Sequence, residues 1–274
     1  MTRLTIATAE GSLHADFEEP LDISIPYDFA GEQPSHFDAA PARAAPMRSG
    51  SFVGDVRLGG SCNCEELHLV PHCNGTHTEC VGHVTDERVS VHQQVPGGLA
   101  LALLLSPSTV PIEESDESAD PAPQSGDHFI TARALENLWE QHASSGVTAL
   151  VLRTLPNDRE KRTRRYSSDT PPPFLSNEAA ALCVARDIEH LLVDLPSIDR
   201  THDEGRLSAH RIFWGLPPGS TSYTLAQRPR ASVTELIFVP DSIVDGRYLL
   251  DLQIAPFVSD AAPSRPVLYR LQPA

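Results

Sequence analysis

Pro71 to His83, PHCNGTHTECVGH, crowds three histidines, one glutamate and two cysteines into one short run around a Gly-Thr turn. Imidazole nitrogen, carboxylate oxygen and thiolate sulfur are the donors that zinc and manganese take, and a glycine lets the backbone bend so that they converge. His77 and Glu79 stand two residues apart, so extended backbone sends both side chains to one side. His83 lies far enough downstream to return as a third ligand or as an acid/base group, and both roles stay open. The competing reading is a polar surface loop with incidental histidines, because short motifs also recur without function.

The same residues resemble the H-x-G-T-H-x-D-x-P-x-H signature of the cyclase-like metal hydrolases, a group that includes bacterial kynurenine formamidase and isatin hydrolase. Gly75, Thr76, His77 and His83 match in place. Glu79 stands where the family has Asp, and Val81 where it has Pro. Cys73 occupies the slot of the first histidine, with His72 one residue earlier, so the first ligand is either a thiolate or an imidazole reached through a one-residue bulge. Val193 to His210, VDLPSIDRTHDEGRLSAH, resembles the family's G-I-D-T-P-S-x-D stretch and Ala-His pair, with Asp194, Pro196, Ser197, Asp199, Ala209 and His210 in register. Glu235 in SVTELIFV matches the family's later glutamate, and PLDISIP from Pro20 resembles the opening strand.

The resemblance implies an α/β fold, the swivelling β/β/α sandwich, with a mixed sheet and few helices. It implies a divalent metal, zinc or manganese, one or two ions, held by His77, Glu79, His210 and Glu235 with His72 or Cys73 completing the set. It also implies cleavage of a C–N amide bond by metal-activated water, with Glu79 and His83 catalytic and His83 passing a proton to the leaving nitrogen. The substrate it points to is a small amide, an aryl formamide such as N-formylkynurenine or a cyclic amide, with Phe37, Phe213 or Trp214 as the aromatic wall. A homodimer is implied too. A catalytically silent metal-binding protein of the same fold is the alternative.

The 274 residues suffice for a sizeable core, and ligands drawn from both halves favour one domain over 1–274. A net charge of -16 opposes nucleic acid and anionic membranes as partners. The first residues lack a signal peptide's basic start and apolar run, and no apolar stretch nears the roughly 18 residues that span a bilayer, which points to the cytoplasm. Five cysteines, an odd number, read as reduced thiols or ligands. Cys62, Cys64, Cys73 and Cys80 form an alternative structural zinc set, although paired C-x-x-C knuckles are lacking, and burial as inert thiols is the expectation for Cys62, Cys64 and Cys183.

Apolar runs bounded by turn residues predict strands near 21–25, 66–70, 99–105, 148–153, 190–194, 232–239, 248–254 and 266–271. Helical spacing covers TARALENLWEQHA, started by Thr131, and NEAAALCVARD, started by Ser176, with a third helix over 203–213 carrying His210. Long loops are expected near 32–60, 107–127 and 155–175. Asp194 and Asp199 are candidates for orienting ligand histidines or for capping turns.

Overall fold

The computed structural model describes residues 3–142, 145–167 and 171–274. Its frame is an α/β arrangement around one mixed sheet. In chain order the strands are β1 (Arg3–Thr8), β2 (Gly11–Asp16), β3 (Leu21–Asp22), β4 (His77–Glu79), β5 (Gly98–Leu105), β6 (Ala149–Leu152), β7 (His190–Val193), β8 (Ser232–Glu235), β9 (Gly246–Ile254) and β10 (Ala261–Pro273). β5, β6, β7 and β8 run parallel, and the other ladders are antiparallel. β10 pairs with β9 along most of its length and with β4 at its start, so β10-β9-β5-β6-β7-β8-β4 closes into a ring. The β1/β2 hairpin extends the sheet beyond the far end of β10. Smaller ladders join Arg43–Pro46 to Glu65–His68, and Val110–Pro111 to His128–Ile130 and Phe174–Leu175.

β6 and β7 read as unbroken apolar or buried runs because both their faces are covered, as parallel strands require. Alternate residues divide between two cores. Leu103, Leu105, Leu150, Leu152, Leu191 and Val193 face the helices, whereas Ala102, Leu104, Ala149, Val151 and Leu192 pack inside the ring with Ile237, Leu250 and Leu268.

The helices that matter are α1 (Pro71–Asn74), α2 (Ala132–His142), α3 (Asn177–Ala185) and α4 (Ser208–Trp214). Thr131 Oγ1 accepts from the Ala134 N–H and Ser176 Oγ from the Ala179 N–H, so both expected caps are in place. The third helix starts later than its spacing predicts. Asp203 accepts from the N–H groups of Gly205 and Leu207 and folds 203–207 into a turn, and Leu207 sits at φ 50°, so helix begins only at Ser208. The strand expected over 232–239 stops at Glu235 because Leu236 adopts φ 55°. β4 carries no apolar alternation, since its three residues are polar and yet wholly buried, and only the His77-x-Glu79 spacing marks it as extended.

Leu192 is completely buried inside the ring. Leu192→Ala is expected to cost about 2–5 kcal/mol of stability by loss of transfer energy and a residual cavity, read as a lowered urea midpoint at unchanged m-value.

Candidate metal centre

Thr76 ties the motif into the fold. Its hydroxyl donates to the Leu236 carbonyl and accepts from the Ile25 N–H, clamping the chain before β4 against two other segments. Gly75 is needed for close approach, because a Cβ there would lie 2.9 Å from the Tyr27 ring. Cross-strand pairing sets Glu235 opposite His77, so the ends of β4 and β8 deliver two candidate ligands to one place. His77 Nδ1 lies 3.2 Å from the Gly75 carbonyl, which leaves Nε2 facing the site, 3.4 Å from Glu235 Oε2.

Glu79 is the hub. Its Oε1 lies 2.6 Å from His210 Nε2, and its Oε2 lies 3.1 Å from His72 Nδ1 and 3.7 Å from His83 Nδ1. His210 Nε2 is also 3.6 Å from Glu235 Oε1, while Glu235 Oε1 accepts from the Ile198 N–H. Asp199 both caps α4, taking the N–H groups of Ala209 and His210, and orients the His210 ring through Nδ1 at 2.6 Å. Asp194 serves elsewhere, paired with Lys161 and Thr154.

Donor atoms fall into overlapping groups within ligand reach of one another: His72, His77 and Glu79; Glu79, His83 and His210; and His72, His83 and Asp260. Glu235 borders the first two through His77 and His210. His77 Nε2 and Glu79 Oε2 are buried and have only ion-pair contacts, the first to Glu235 Oε2 and the second to Nδ1 of His72 and of His83, so each keeps room for a further partner. The donors are imidazole nitrogens and carboxylate oxygens, a set that fits a divalent cation of borderline to hard character.

Burial alone would raise the Glu79 pKa, but the charges of His83 and His210, with hydrogen bonds from His210 and His72, hold it well below the usual carboxylate range. Burial and the Glu79 charge push Glu235 up, and hydrogen bonds from His210 and His77 overcome them to lower it. Burial opposes charge on His72, yet hydrogen bonds to Asp260 and Glu79 raise its pKa to about 10. His210 is raised well above the ordinary imidazole value, because Glu79 and the bonds to Asp199 and Glu235 outweigh its burial.

Cys73 belongs to none of these groups among the described residues, whereas His72 belongs to two of them, and burial pushes the Cys73 thiol up to about 11. Cys62 and Cys64 are exposed, contrary to the expectation of burial, because they sit on the surface stretch beside the Arg43–Pro46 ladder. Cys80 and Cys183 are buried, and all five thiols are free. Phe37 is 62% exposed and lines a cavity of about 1150 Å³ together with His83, Arg200, Thr201 and His202. Trp214 does not line it. It is fully buried behind His210, with ring centroids 5.3 Å apart, and its N–H is taken by the Ala231 carbonyl. Phe213 is buried likewise under Arg228.

Two residues escaped the sequence reading. Asp260 meets His72 and His83, and hydrogen bonds from both hold its pKa far below the usual range. His36 is buried against Phe37 with neither ring nitrogen bonded, and burial lowers its pKa to about 4. Neither lies in a recognisable motif.

The family model described as "Putative cyclase" matches residues 20–200, well over half of the chain. The chain belongs to this cyclase family. Among solved structures it is similar to isatin hydrolase A from Labrenzia aggregata bound to benzyl benzoate, at 14% identity and TM-score 0.58 over 92% of this chain and 93% of that one. A "predicted metal-dependent hydrolase" from Bacillus stearothermophilus is similar at 14% identity and TM-score 0.56, covering 92% and 98%. Isatin hydrolase A from Ralstonia solanacearum gives 13% identity and TM-score 0.56 over 92% and 91%. At these identities the likeness establishes the shared fold. No curated protein sequence matches the chain. Among the described residues no helix is long and apolar enough to cross a membrane.

Metal ligands must be deprotonated, and the raised pKa values of His72, to about 10, and of His210 favour their protonated forms. Binding of a divalent ion to these rings is therefore expected to release protons, with apparent affinity rising with pH through neutrality toward about 10. Calorimetry in buffers of different ionisation enthalpy measures this, and a buffer-independent heat would contradict it.

Proposed function

We propose that this protein is a metal-dependent hydrolase that opens the C–N bond of an aryl formamide such as N-formylkynurenine, or of a cyclic amide, with zinc or manganese at the histidine–carboxylate centre. The observation that carries this reading is the pair of donor groups sharing Glu79, with His77 Nε2 and Glu79 Oε2 both buried and turned toward the other donors. His72, His77, Glu79, His210 and Glu235 would hold the metal, and two groups with one shared carboxylate supply donors for one or two ions. When bound, such an ion lowers the pKa of a coordinated water from about 15.7 toward about 7 and polarises a carbonyl.

The chain's own residues supply the rest. Phe37 offers an aromatic face in the cavity that His83 also lines, which suits a flat aryl amide. Nδ1 of His83 faces Asp260 and Glu79, so Nε2 is the nitrogen left to exchange protons with a substrate. An imidazole titrates near neutrality and both accepts a proton and returns it to a leaving nitrogen, a contribution of about 10²- to 10⁴-fold. A small-molecule amide as partner, a homodimer, a cytoplasmic location and one domain over the chain complete the proposal, and sedimentation of the purified protein tests the dimer.

One observation favours the silent alternative. His83 stands with Glu79 and His210 in a donor group, and as a ligand it would no longer be free to exchange protons with a substrate. The two readings separate by experiment. Formanilides, cyclic imides and lactams would be screened with and without added zinc or manganese, and His83→Ala compared on the best substrate. The expected result is full metal content with turnover lowered about 10²-fold or more. Loss of metal would make His83 a ligand, and no wild-type turnover on any such amide would favour the silent protein. Glu235→Gln is expected to lower bound metal measured by elemental analysis, and unchanged metal and rate would remove Glu235 from the centre.

A further inference from the structure

Asp260 immediately precedes β10, on the strand end that closes the ring against β4. Its carbonyl accepts from the Cys80 N–H, directly after Glu79, so its backbone is fixed relative to the centre. Its side chain is fixed as well. Oδ1 accepts from the Ser259 hydroxyl at 3.1 Å, while Oδ2 lies 2.9 Å from His72 Nε2 and 3.4 Å from His83 Nδ1. The two imidazoles lie face to face at a tilt of 30°, with centroids 4.4 Å apart.

These two rings share one donor group with Asp260, and each also belongs to a second, His72 with His77 and His83 with His210. They are also the half-exposed ones, at 24% and 26% side-chain exposure, where packing alone leaves a ring free to turn. We propose that Asp260 is a positioning residue that fixes both rings through one carboxylate oxygen. By engaging Nε2 of His72 it commits Nδ1 to Glu79 and the centre. By engaging Nδ1 of His83 it commits Nε2 to the cavity.

This explains how a histidine displaced by one residue still serves. His72 lies on a single helical turn that brings its Nδ1, and not the Cys73 thiol, to Glu79, and the anchor for its far nitrogen comes from Asp260. A carboxylate behind a ligand imidazole fixes its tautomer, and losing such a partner costs about 10- to 100-fold in metal affinity.

The inference rests on the proposed metal centre, and its test separates the two. Zinc affinity of wild type, Asp260→Ala and Asp260→Asn would be measured by chelator competition, with circular dichroism to confirm folding. In the metal-free proteins, long-range proton–nitrogen NMR correlations would report which nitrogen of neutral His83 carries its proton. Asp260→Ala is expected to bind zinc about 10- to 100-fold more weakly and to lose the Nδ1–H form that wild-type His83 adopts. Unchanged affinity and an unchanged His83 tautomer would overturn the proposal while leaving the metal centre standing. If Asp260→Ala does not fold, Asp260→Asn decides by affinity, where a fall of about tenfold supports the role and wild-type affinity refutes it. If wild type binds neither zinc nor manganese, the hydrolase reading fails, and the His83 tautomer still decides whether Asp260 positions that ring.

Discussion

The centre depends on one buried carboxylate. Glu79 is fully buried on a three-residue strand whose backbone is paired on both sides, by β8 and by β10. Taking a charge out of water costs several kcal/mol even after relaxation, so the charge must be met where it stands. His72 from α1, His83 from the turn after β4, and His210 from α4 meet it. The opposite side of β4 holds the register, because Thr78 Oγ1 bonds the hydroxyls of Thr234 and Ser264. A slip by one residue would exchange the two faces and turn His77 and Glu79 away from the site.

The raised pKa values of His72 and His210 favour positive charge where a cation is proposed to sit. Glu79, Glu235, Asp199 and Asp260 crowd around four histidines, and the raised pKa values of His72 and His210 are the response to that negative charge. His210 lies between two carboxylates, as does His72. The arrangement is therefore electrostatically consistent without an ion, and a divalent cation must displace these protons and replace them with coordinate bonds from imidazole and carboxylate. Net charge of the whole chain has no part in this, since screening removes distant surface charges within roughly 10 Å at moderate salt.

What the sequence disclosed follows from how local each feature is. His77, Glu79 and His83 were legible because strand alternation and one turn bring them together without help from elsewhere. The choice between His72 and Cys73 was not, because it turns on a four-residue helix in which neighbours differ by about 100° in direction, so only one of them faces the centre. Trp214 was a candidate for the aromatic wall, but its i,i+4 spacing from His210 puts it behind the imidazole in the core. Asp260 left no trace, since VSDAAPS reads as an ordinary turn and its relation to Glu79 arises only from closure of the ring.

Burial divides the centre into two sides with different tasks. His77, Glu79, His210 and Glu235 are almost inaccessible, and Asp199, Trp214 and the Ile198 N–H back them from the core. His72, His83 and Asp260 form the half-exposed rim, and His83 alone of the three lines the cavity with Phe37. The fully packed side sets geometry, because a side chain in a dense core has one arrangement available to it. The rim is where the cluster meets solvent, and through His83 it joins the buried carboxylate to the cavity.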